Sequence, residues 1–325
     1  MANLLILSTC TDGWQNLAYD EFLLRNVAEN DLFLHLYVNY NCVVIGKYQN
    51  AWRECNINAM NNDMVKLVRR ISGGGAVYQD LGNVNFSFTA NKNNYNVPRQ
   101  LELIIKALRS LGVNTQFSGR NDILAGGKKI SGSAFCEIGN RCQHHGTLLI
   151  NTDLAKLALY LQISDKKMQA KGVKSVLSRV ANLVEFIPGI TVHDVQEAIC
   201  STYKKEYGTF ELKHFTVEEE KVIADIYRRH ASWEWQLGRT PEFDILLEER
   251  FSWGELQLLL KVQNGKVIGS NVFSDTLDTF LPPLVAQVIQ GAAFSSAEIS
   301  ARISASAPGH AAMADIAQWL KGQAL

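Results

Sequence analysis

A run of three glycines beside two arginines constrains this chain more than any other segment. The segment covers residues 69–85 and reads RRISGGGAVYQDLGNVN. Successive glycines permit backbone conformations closed to other residues, and they let a ligand approach the main-chain N–H groups directly. Arg69 and Arg70 add forked, permanently charged donors. The sequence therefore predicts a site for phosphate or carboxylate.

Apolar residues on both sides of the glycines predict that this loop lies on a sheet. The segments Val65–Arg69 and Val84–Thr89 are rich in branched and aromatic residues, as strands usually are. A strand, a glycine loop and a second strand are therefore expected. The two strands would hold such a loop in place, whereas a linker between domains would be free to move.

Composition indicates a globular protein of two domains. The chain has 325 residues, of which 47% are hydrophobic and 20% charged, a length that favours two cores over one. Lysine plus arginine equals aspartate plus glutamate at 32 each, so no overall field favours nucleic acid or a membrane surface. The six cysteines form no C-x-x-C pair, and no apolar run suits a signal peptide or a membrane span. We expect reduced thiols and a cytoplasmic location.

Strand and helix patterns alternate irregularly, which predicts an α+β fold. A large mixed-sheet domain is expected over residues 1–241, and a small α+β domain over residues 242–325. Thr11 or Asp12 would cap a first helix, and Gly112 would end a later one. Further predicted strands are Leu32–Val38, Cys42–Ile45, Asp122–Ala125, Lys128–Ser131, Gly146–Ile150, Leu256–Val262 and Val267–Phe273; further predicted helices are Asn16–Arg25, Gln100–Leu111, Val217–His230, Pro283–Ile289, Ser296–Ile303 and His310 to the end.

Two familiar nucleotide motifs are missing from the sequence. Tyr78 stands where a G-x-G-x-x-G loop would have its third glycine, which argues against a Rossmann site. Lys129 follows Gly127-Lys128 where a Walker A loop needs serine or threonine. A nucleotide bound here would need a different glycine scaffold.

Collinear sequence blocks give the chain its resemblance to a known family. The blocks are NLA (16–18), VVIG (43–46), QNAWRECN (49–56), the glycine segment, SGRND (118–122), KISGSA (129–134), HHGTLL (144–149) and KGVKSVLSRVANL (171–183), with weaker likeness at WEW (233–235) and FSD (273–275). In this order they resemble bacterial lipoate–protein ligase A, of the biotin/lipoate protein ligase superfamily. The resemblance implies that fold, with a large catalytic domain and a small accessory domain.

The same resemblance implies an activity in two steps. Lipoate and MgATP would give lipoyl-AMP and pyrophosphate, and a lysine of an acceptor protein would then displace AMP. The expected acceptors are lipoyl domains of 2-oxoacid dehydrogenase E2 subunits and the glycine-cleavage H protein. Lys129 matches the family's catalytic lysine, and residues 171–183 match a segment expected to cover the adenylate.

Further site residues are implied in the same way. The expected ATP and adenylate contacts are Arg70, Gly75, Ala76, Val77, Tyr78, Asn83 and Lys129. The expected lipoate contacts are Arg70, Ser72, Gly73, Gly74, Lys129 and His145. Asp122 is a candidate magnesium ligand, because Mg²⁺ prefers oxygen donors.

Three alternatives stay open from the sequence. An acyltransferase of the same fold would work through a cysteine thioester, and Cys136 and Cys142 lie near Lys129 in the chain. Biotin ligation is a second possibility, and a non-catalytic binding protein is a third. Gln79 replaces a histidine that relatives often have, while residues 138–143 and the tail after Asp278 follow the family poorly. Acyl-chain tolerance, preferred acceptor and oligomeric state are not fixed by the sequence.

Overall fold

A computed structural model describes residues 2–118, 121–161, 180–238 and 243–323. Up to residue 238 the strands are β1 (Ala2–Leu7), β2 (Asp31–Tyr37), β3 (Cys42–Ile45), β4 (Lys66–Arg69), β5 (Val77–Gln79), β6 (Asn83–Asn91), β7 (Thr115–Ser118), β8 (Asp122–Ala125), β9 (Lys128–Ile138), β10 (Arg141–Leu149) and β11 (Glu211–Leu212). The helices are α1 (Gly13–Asn26), α2 (Ala51–Glu54), α3 (Ile57–Asn62), α4 (Val97–Ser110), α5 (Leu154–Tyr160), α6 (Val192–Tyr207), α7 (Val217–Ala231) and α8 (Trp233–Gln236). Most of the covering segment at 171–183 therefore lies outside the described residues.

Two sheets organise this part of the chain. The larger has eight strands in the order β11-β1-β2-β6-β10-β9-β8-β7, and the smaller has the order β4-β3-β5. In the larger sheet β1 runs parallel to both its neighbours and the other pairs are antiparallel, so the sheet is mixed. Helices α4 and α6 bury their apolar faces against it to form the main core. The predicted α+β fold is confirmed.

Local signals place several of these elements as expected. The side chain of Asp12 caps α1 by accepting from the Trp14 N–H, and the predicted strands Cys42–Ile45 and Asp122–Ala125 are observed with those bounds. Strands β9 and β10 are longer than predicted. The sequence patterns did not predict the remaining elements, which are β1, β5, β7, β11, α2, α3, α5, α6 and α8.

The glycine loop joins β4 to β5 within the smaller sheet. The second strand expected beside it, β6, belongs instead to the larger sheet. The loop therefore lies where the two sheets meet, with the short strand β5 between it and β6.

Residues from 243 onward form a second unit with its own core. It contains β12 (Ile245–Phe251), β13 (Gly254–Gln263), β14 (Lys266–Ser274), α9 (Leu281–Ile289), α10 (Ser296–Ser306) and α11 (Ala311–Lys321). The strands form an antiparallel sheet, and the helices pack over it through aliphatic side chains. The sequence reading missed β12. The predicted boundary at residue 241 falls among residues 239–242, outside the described part of the chain. Within that part, no helix has the length and apolar character that a membrane crossing requires.

The second unit touches the glycine loop directly. The Gly74 N–H donates to the Thr276 carbonyl at 2.9 Å, and the Ser274 N–H donates to the Tyr48 carbonyl at 2.8 Å. Gly73 has no room for a side chain here, because a Cβ atom would stand 2.3 Å from the Thr276 oxygen. The small unit thus hydrogen-bonds and packs closely against the glycine loop, which the sequence predicts to bind an anion.

We expect Gly73→Ala to separate the two units at this contact. The added methyl group would overlap the Thr276 carbonyl, and overpacking of this kind costs about 1–3 kcal/mol in the free energy of unfolding. Gly75→Ala is the matched control, because no described atom lies within 4 Å of its added Cβ. Thermal unfolding and hydrogen exchange at residues 274–277 would measure the difference, and equal behaviour of the two variants would contradict the contact.

Candidate functional site

A cavity of about 150 Å³ opens where the two sheets and the glycine loop meet. We call it the central cavity. Its lining residues are Leu17, Tyr37, Val44, Arg70, Gly74, Gly75, Ala76, Val77, Gln79, Asn85, Asn121, Lys129, Gly132, Ser133, Ala134, His145, Gly146 and Thr147. Aliphatic side chains, glycine backbone and the basic side chains of Arg70 and Lys129 therefore share one space.

Lys129 enters this space because of an irregularity in β9. Ile123 pairs with Ser131 but Leu124 pairs with Lys129, so Ile130 is an extra residue and forms a bulge. The bulge places Lys129 on the same face as Gly132, since strand side chains otherwise alternate. The Lys129 Nζ lies 2.7 Å from the Asp122 Oδ1, and the lack of a side chain at Gly132 leaves room for the ammonium group.

The neighbouring lysine points away from the cavity, as strand alternation predicted. Lys128 forms an ion pair with Glu185 at 3.0 Å, and both side chains are exposed. Lys128 and Lys129 are thus a natural matched pair: one lines the cavity and the other lies on the surface.

Arg70 closes the glycine loop from within. Its Nε donates to the Ser72 hydroxyl and the Gly73 carbonyl, its Nη2 donates to the carbonyls of Gly73 and Gly75, and its Nη1 donates to the Val44 carbonyl. Burial lowers the pKa of Arg70 to about 10, which leaves the guanidinium charged at neutral pH. The side chain therefore combines a loop-holding role with a positive charge at the cavity wall.

Arg69 does not share this position, contrary to the expectation for the arginine pair. Its guanidinium is buried and donates to backbone carbonyls of two segments, Gly46, Lys47 and Gln49 on one side and Trp235 and Gln236 on the other. Strand alternation explains the separation, because adjacent residues at the end of β4 face opposite ways. Arg69 braces the backbone, and Arg70 alone of the two lines the cavity.

The remaining predicted residues divide between the cavity and its support. His145 lines the cavity, and its Nε2 lies 2.7 Å from the Ser72 hydroxyl, which is itself fully buried. Tyr78 is buried in the apolar core behind β5. Asn83 is also buried and donates to Asn85, which does line the cavity.

His144 points to the other face of β10. It packs among the rings of Phe86, Phe88 and Phe135, and burial lowers its pKa to about 3. The ring is therefore neutral at physiological pH.

Several cavity residues were not singled out from the sequence. They are Leu17, Tyr37, Val44, Asn85, Asn121 and Thr147. Each lies on or beside an element that the sequence predicts: α1, β2, β3, β6, β8 or β10. The sequence alone does not show which faces converge.

Gln79 is fixed by a line of buried carboxamides. Its Oε1 accepts from Asn39 at 2.7 Å, and its Nε2 donates to Asn85 at 2.7 Å. Asn85 in turn donates to the Tyr37 carbonyl, which orients its own oxygen toward Gln79. Position 79 therefore requires one acceptor and one donor.

We expect Gln79→His to be tolerated at pH 8 and Gln79→Glu to be strongly destabilising. A neutral imidazole offers one acceptor and one donor, whereas a carboxylate would face the Asn85 oxygen without a donor, at about 3 kcal/mol or more for an unpaired buried charge. The site favours the neutral ring, so the pKa of the introduced imidazole would fall below its value in the unfolded chain. The stability of Gln79→His should then decline as the pH drops below about 6.5.

Thermal unfolding from pH 8 to 5.5 would test both substitutions, with the parent protein as the reference. A Gln79→Glu variant as stable as the parent at pH 8 would contradict the assigned amide orientations.

The described lining of the cavity contains no cysteine. Cys136 and Cys142 are both buried in the larger sheet. Burial raises the pKa of Cys136 to about 11 and also raises that of Cys142, so both thiols are protonated at neutral pH. Neither thiol has the environment that a cysteine nucleophile requires.

Comparison with known protein families extends these observations. The chain matches the family described as lipoyl protein ligase A/B catalytic domain over residues 12–204, and the bacterial lipoate protein ligase C-terminus over residues 240–320. The sequence-based assignment to this family is confirmed.

Solved structures give the same result. P. falciparum LipL1, in complex with lipoate, is 29% identical, with a TM-score of 0.86 over 99% of this chain and 100% of that one. A bipartite lipoate protein ligase from Thermoplasma acidophilum, studied with its E2 lipoyl domain, is 28% identical over 75% and 99% of the two chains, with a TM-score of 0.67. A lipoate-protein ligase A bound with ATP is 27% identical over 73% and 99%, with a TM-score of 0.65. Because residues 12–204, more than half of the sequence, match the family's catalytic domain, the chain belongs to the lipoyl protein ligase A/B catalytic-domain family.

Proposed function

We propose that this protein is an ATP-dependent lipoate–protein ligase that forms lipoyl-AMP in the central cavity and passes the lipoyl group to a protein lysine. One observation carries the proposal. Lys129 and Arg70 line the same cavity as the glycine backbone of residues 74–75 and the aliphatic side chains of Leu17, Val44 and Val77. The aliphatic side suits a fatty chain, and the cationic side suits the carboxylate and the phosphate.

The first step joins two anions, so the site must offset their repulsion. A lipoate carboxylate oxygen attacks the α-phosphorus of ATP, and the bond to the β-phosphate oxygen breaks to release pyrophosphate. In this proposal Lys129 bridges the carboxylate and the α-phosphate, and Arg70 binds the charge that develops there. Gly75, Ala76 and Val77 are the proposed nucleotide contacts, with Tyr78 taking part through its backbone and Asn83 through its hydrogen bond to Asn85.

The second step transfers the acyl group. The amine of an acceptor lysine attacks the lipoyl carbonyl carbon, the bond to the phosphate oxygen breaks, and AMP leaves as the amide forms. Ser72, Gly73, Gly74 and His145 are the proposed lipoate contacts or their support. We propose lipoyl domains of E2 subunits and the glycine-cleavage H protein as acceptors.

Magnesium would join the site through oxygen ligands. The described residues contain no cluster of three or more ligating side chains, which fits a metal held mainly by nucleotide phosphates. Asp122 is the carboxylate next to Lys129 and would supply a protein oxygen. Bound Mg²⁺ would offset part of the triphosphate charge.

The relatives support the substrates, because one was solved with lipoate, another with ATP, and a third was studied with its E2 lipoyl domain. The thioester alternative is weaker, since the two thiols near Lys129 in sequence are buried and protonated away from the cavity. A non-catalytic role is weaker too, because Lys129 keeps a position at the cavity wall.

Lipoate-dependent exchange of labelled pyrophosphate into ATP tests the proposal. We expect exchange without any acceptor protein, and an unchanged rate in a Cys136→Ala/Cys142→Ala double variant. Acyl transfer from an acyl-carrier protein without ATP would overturn the ligase proposal. If biotin at equal concentration competes with lipoate in this exchange, lipoate is not the specific substrate and the proposal would change to biotin ligation.

A further inference from the structure

A buried carboxylate stands behind the cavity wall, on helix α1. Asp20 is 2% exposed, and three side chains from β2 and β10 converge on it. His35 Nδ1 lies 2.9 Å from Oδ1, the Tyr37 hydroxyl donates to Oδ2 at 3.1 Å, and His145 Nδ1 lies 3.8 Å from Oδ2. Burying an ionised carboxylate costs free energy, because the group loses its hydration, and only paired or hydrogen-bonded neighbours offset that cost.

The carboxylate stays charged in this environment. Burial would raise the pKa of Asp20, but contacts with His145 and His35 outweigh burial and hold the pKa well below its ordinary value. Asp20 is thus an anion connected through His145 to the Ser72 hydroxyl and from there to Arg70.

The hydrogen-bond directions along this connection follow from the groups at both of its ends, Arg70 and Asp20. A guanidinium can only donate, so the Ser72 oxygen accepts from Arg70 Nε at 3.1 Å. The serine hydroxyl hydrogen then points to His145 Nε2 at 2.7 Å, the other polar contact found for it among the described residues. His145 Nε2 is then the acceptor, and the ring hydrogen lies on Nδ1, where the charge of the Asp20 carboxylate stabilises it.

We propose that Asp20 is a positioning residue for the anion site, acting through His145 and Ser72 to hold Arg70. The 3.8 Å separation between His145 and Asp20 is ion-pair range and longer than a hydrogen bond, so the carboxylate acts there by charge. The inference rests on the proposed function for the identity of the ligand, an acyl-adenylate. The hydrogen bonds among Arg70, Ser72 and His145 are contacts within the protein and do not depend on that ligand.

The order Ser72, His145 and Asp20 also resembles a serine nucleophile with its base. Two observations argue against that role. Ser72 is fully buried and does not line the cavity, and Arg70 donates to the oxygen that would have to attack. The same three groups are instead arranged to orient a cation.

Glu21 provides a matched control next to Asp20. It is an equally buried carboxylate on the same helix, but it faces Arg25, Arg229 and His230 of α1 and α7, away from the cavity. Glu21→Gln and Asp20→Asn each neutralise a buried acid on α1. We expect both to lower stability, and we expect Asp20→Asn alone to disturb Arg70.

The binding test uses a hydrolysis-resistant lipoyl-adenylate analogue, lipoyl-sulfamoyl adenosine, measured by calorimetry. We expect roughly tenfold to hundredfold weaker binding in Asp20→Asn, the range for weakening the charge-assisted hydrogen bond from Arg70 to Ser72, and no more than twofold in Glu21→Gln. Ser72→Ala breaks the same connection, so the double variant Asp20→Asn/Ser72→Ala should bind about as weakly as Ser72→Ala alone. Fully additive losses, or equal losses in Asp20→Asn and Glu21→Gln, would overturn the proposal.

Nitrogen NMR of ¹⁵N-histidine protein tests the proposal without any ligand. We expect His145 to carry its hydrogen on Nδ1 in the parent and in Glu21→Gln, and to shift toward Nε2 in Asp20→Asn. A parent ring with its hydrogen on Nε2, or covalent labelling of Ser72 by a fluorophosphonate, would overturn the proposal. A parent that fails to bind the analogue or exchange pyrophosphate would count against the proposed function, and the NMR result would still decide the role of Asp20.

Discussion

Lys129→Ala is expected to lower the rate of lipoyl-adenylate formation by about a thousandfold. Lys129 is the lysine at the cavity wall, and removing one preorganised charged donor from such a site costs roughly 10²–10³ in rate. The loss should appear as slower pyrophosphate release, because the ammonium would act on the carboxylate and α-phosphate before any acceptor arrives.

Lys128→Ala is the control for this experiment. It removes the same charge one residue away, from a side chain that pairs with Glu185 on the surface, and it should keep near-parental turnover. If Lys129→Ala binds ATP and lipoate and turns over at the parental rate, the assignment of the catalytic lysine is wrong.

Arg70→Lys is expected to reduce adenylate formation by roughly 10²-fold, although the positive charge is kept. A lysine ammonium cannot reproduce the planar fork that contacts Ser72, Gly73 and Gly75 together, so the loop would lose its shape as well as a bidentate donor. Single-turnover kinetics would separate slower chemistry from weaker binding.

Arg69→Lys serves as the comparison. That guanidinium braces backbone carbonyls at Gly46 and Gln236, so its loss should lower the melting temperature without a selective effect on adenylate formation. Equal adenylation rates for parent and Arg70→Lys would contradict a bidentate role for Arg70.

Much of the fold follows from local sequence signals. The strand Cys42–Ile45 is a continuous apolar run, and the α1 helix begins where Asp12 can accept the Trp14 N–H. Gly74 and Gly75 of the glycine segment line the central cavity together with Arg70, and three glycines beside two arginines were the sequence signal for a site there. The elements that were missed, among them β1, β5, α6 and β12, are short or carry mixed patterns that depend on tertiary packing.

The details of the site depend on geometry that a linear sequence does not contain. Regular alternation cannot foresee the bulge at Ile130 that turns Lys129 into the cavity. Arg69 and Arg70 look equivalent in sequence, but their side chains point in opposite directions at the end of β4. Arg70 therefore lines the cavity, whereas Arg69 binds backbone carbonyls. Asp20 and His145 are far apart in the sequence, and only the packing of α1 against β10 brings them together.

Mass spectrometry of a purified lipoyl domain, incubated with the protein, lipoate and ATP, tests the central claim most directly. Each reagent is omitted in turn, and an acceptor whose target lysine is changed to alanine serves as the control. We expect one added lipoyl group on that lysine only when protein, lipoate and ATP are all present. A lipoyl domain that gains no mass with all reagents, or gains it equally without ATP, would contradict an adenylate-forming ligase.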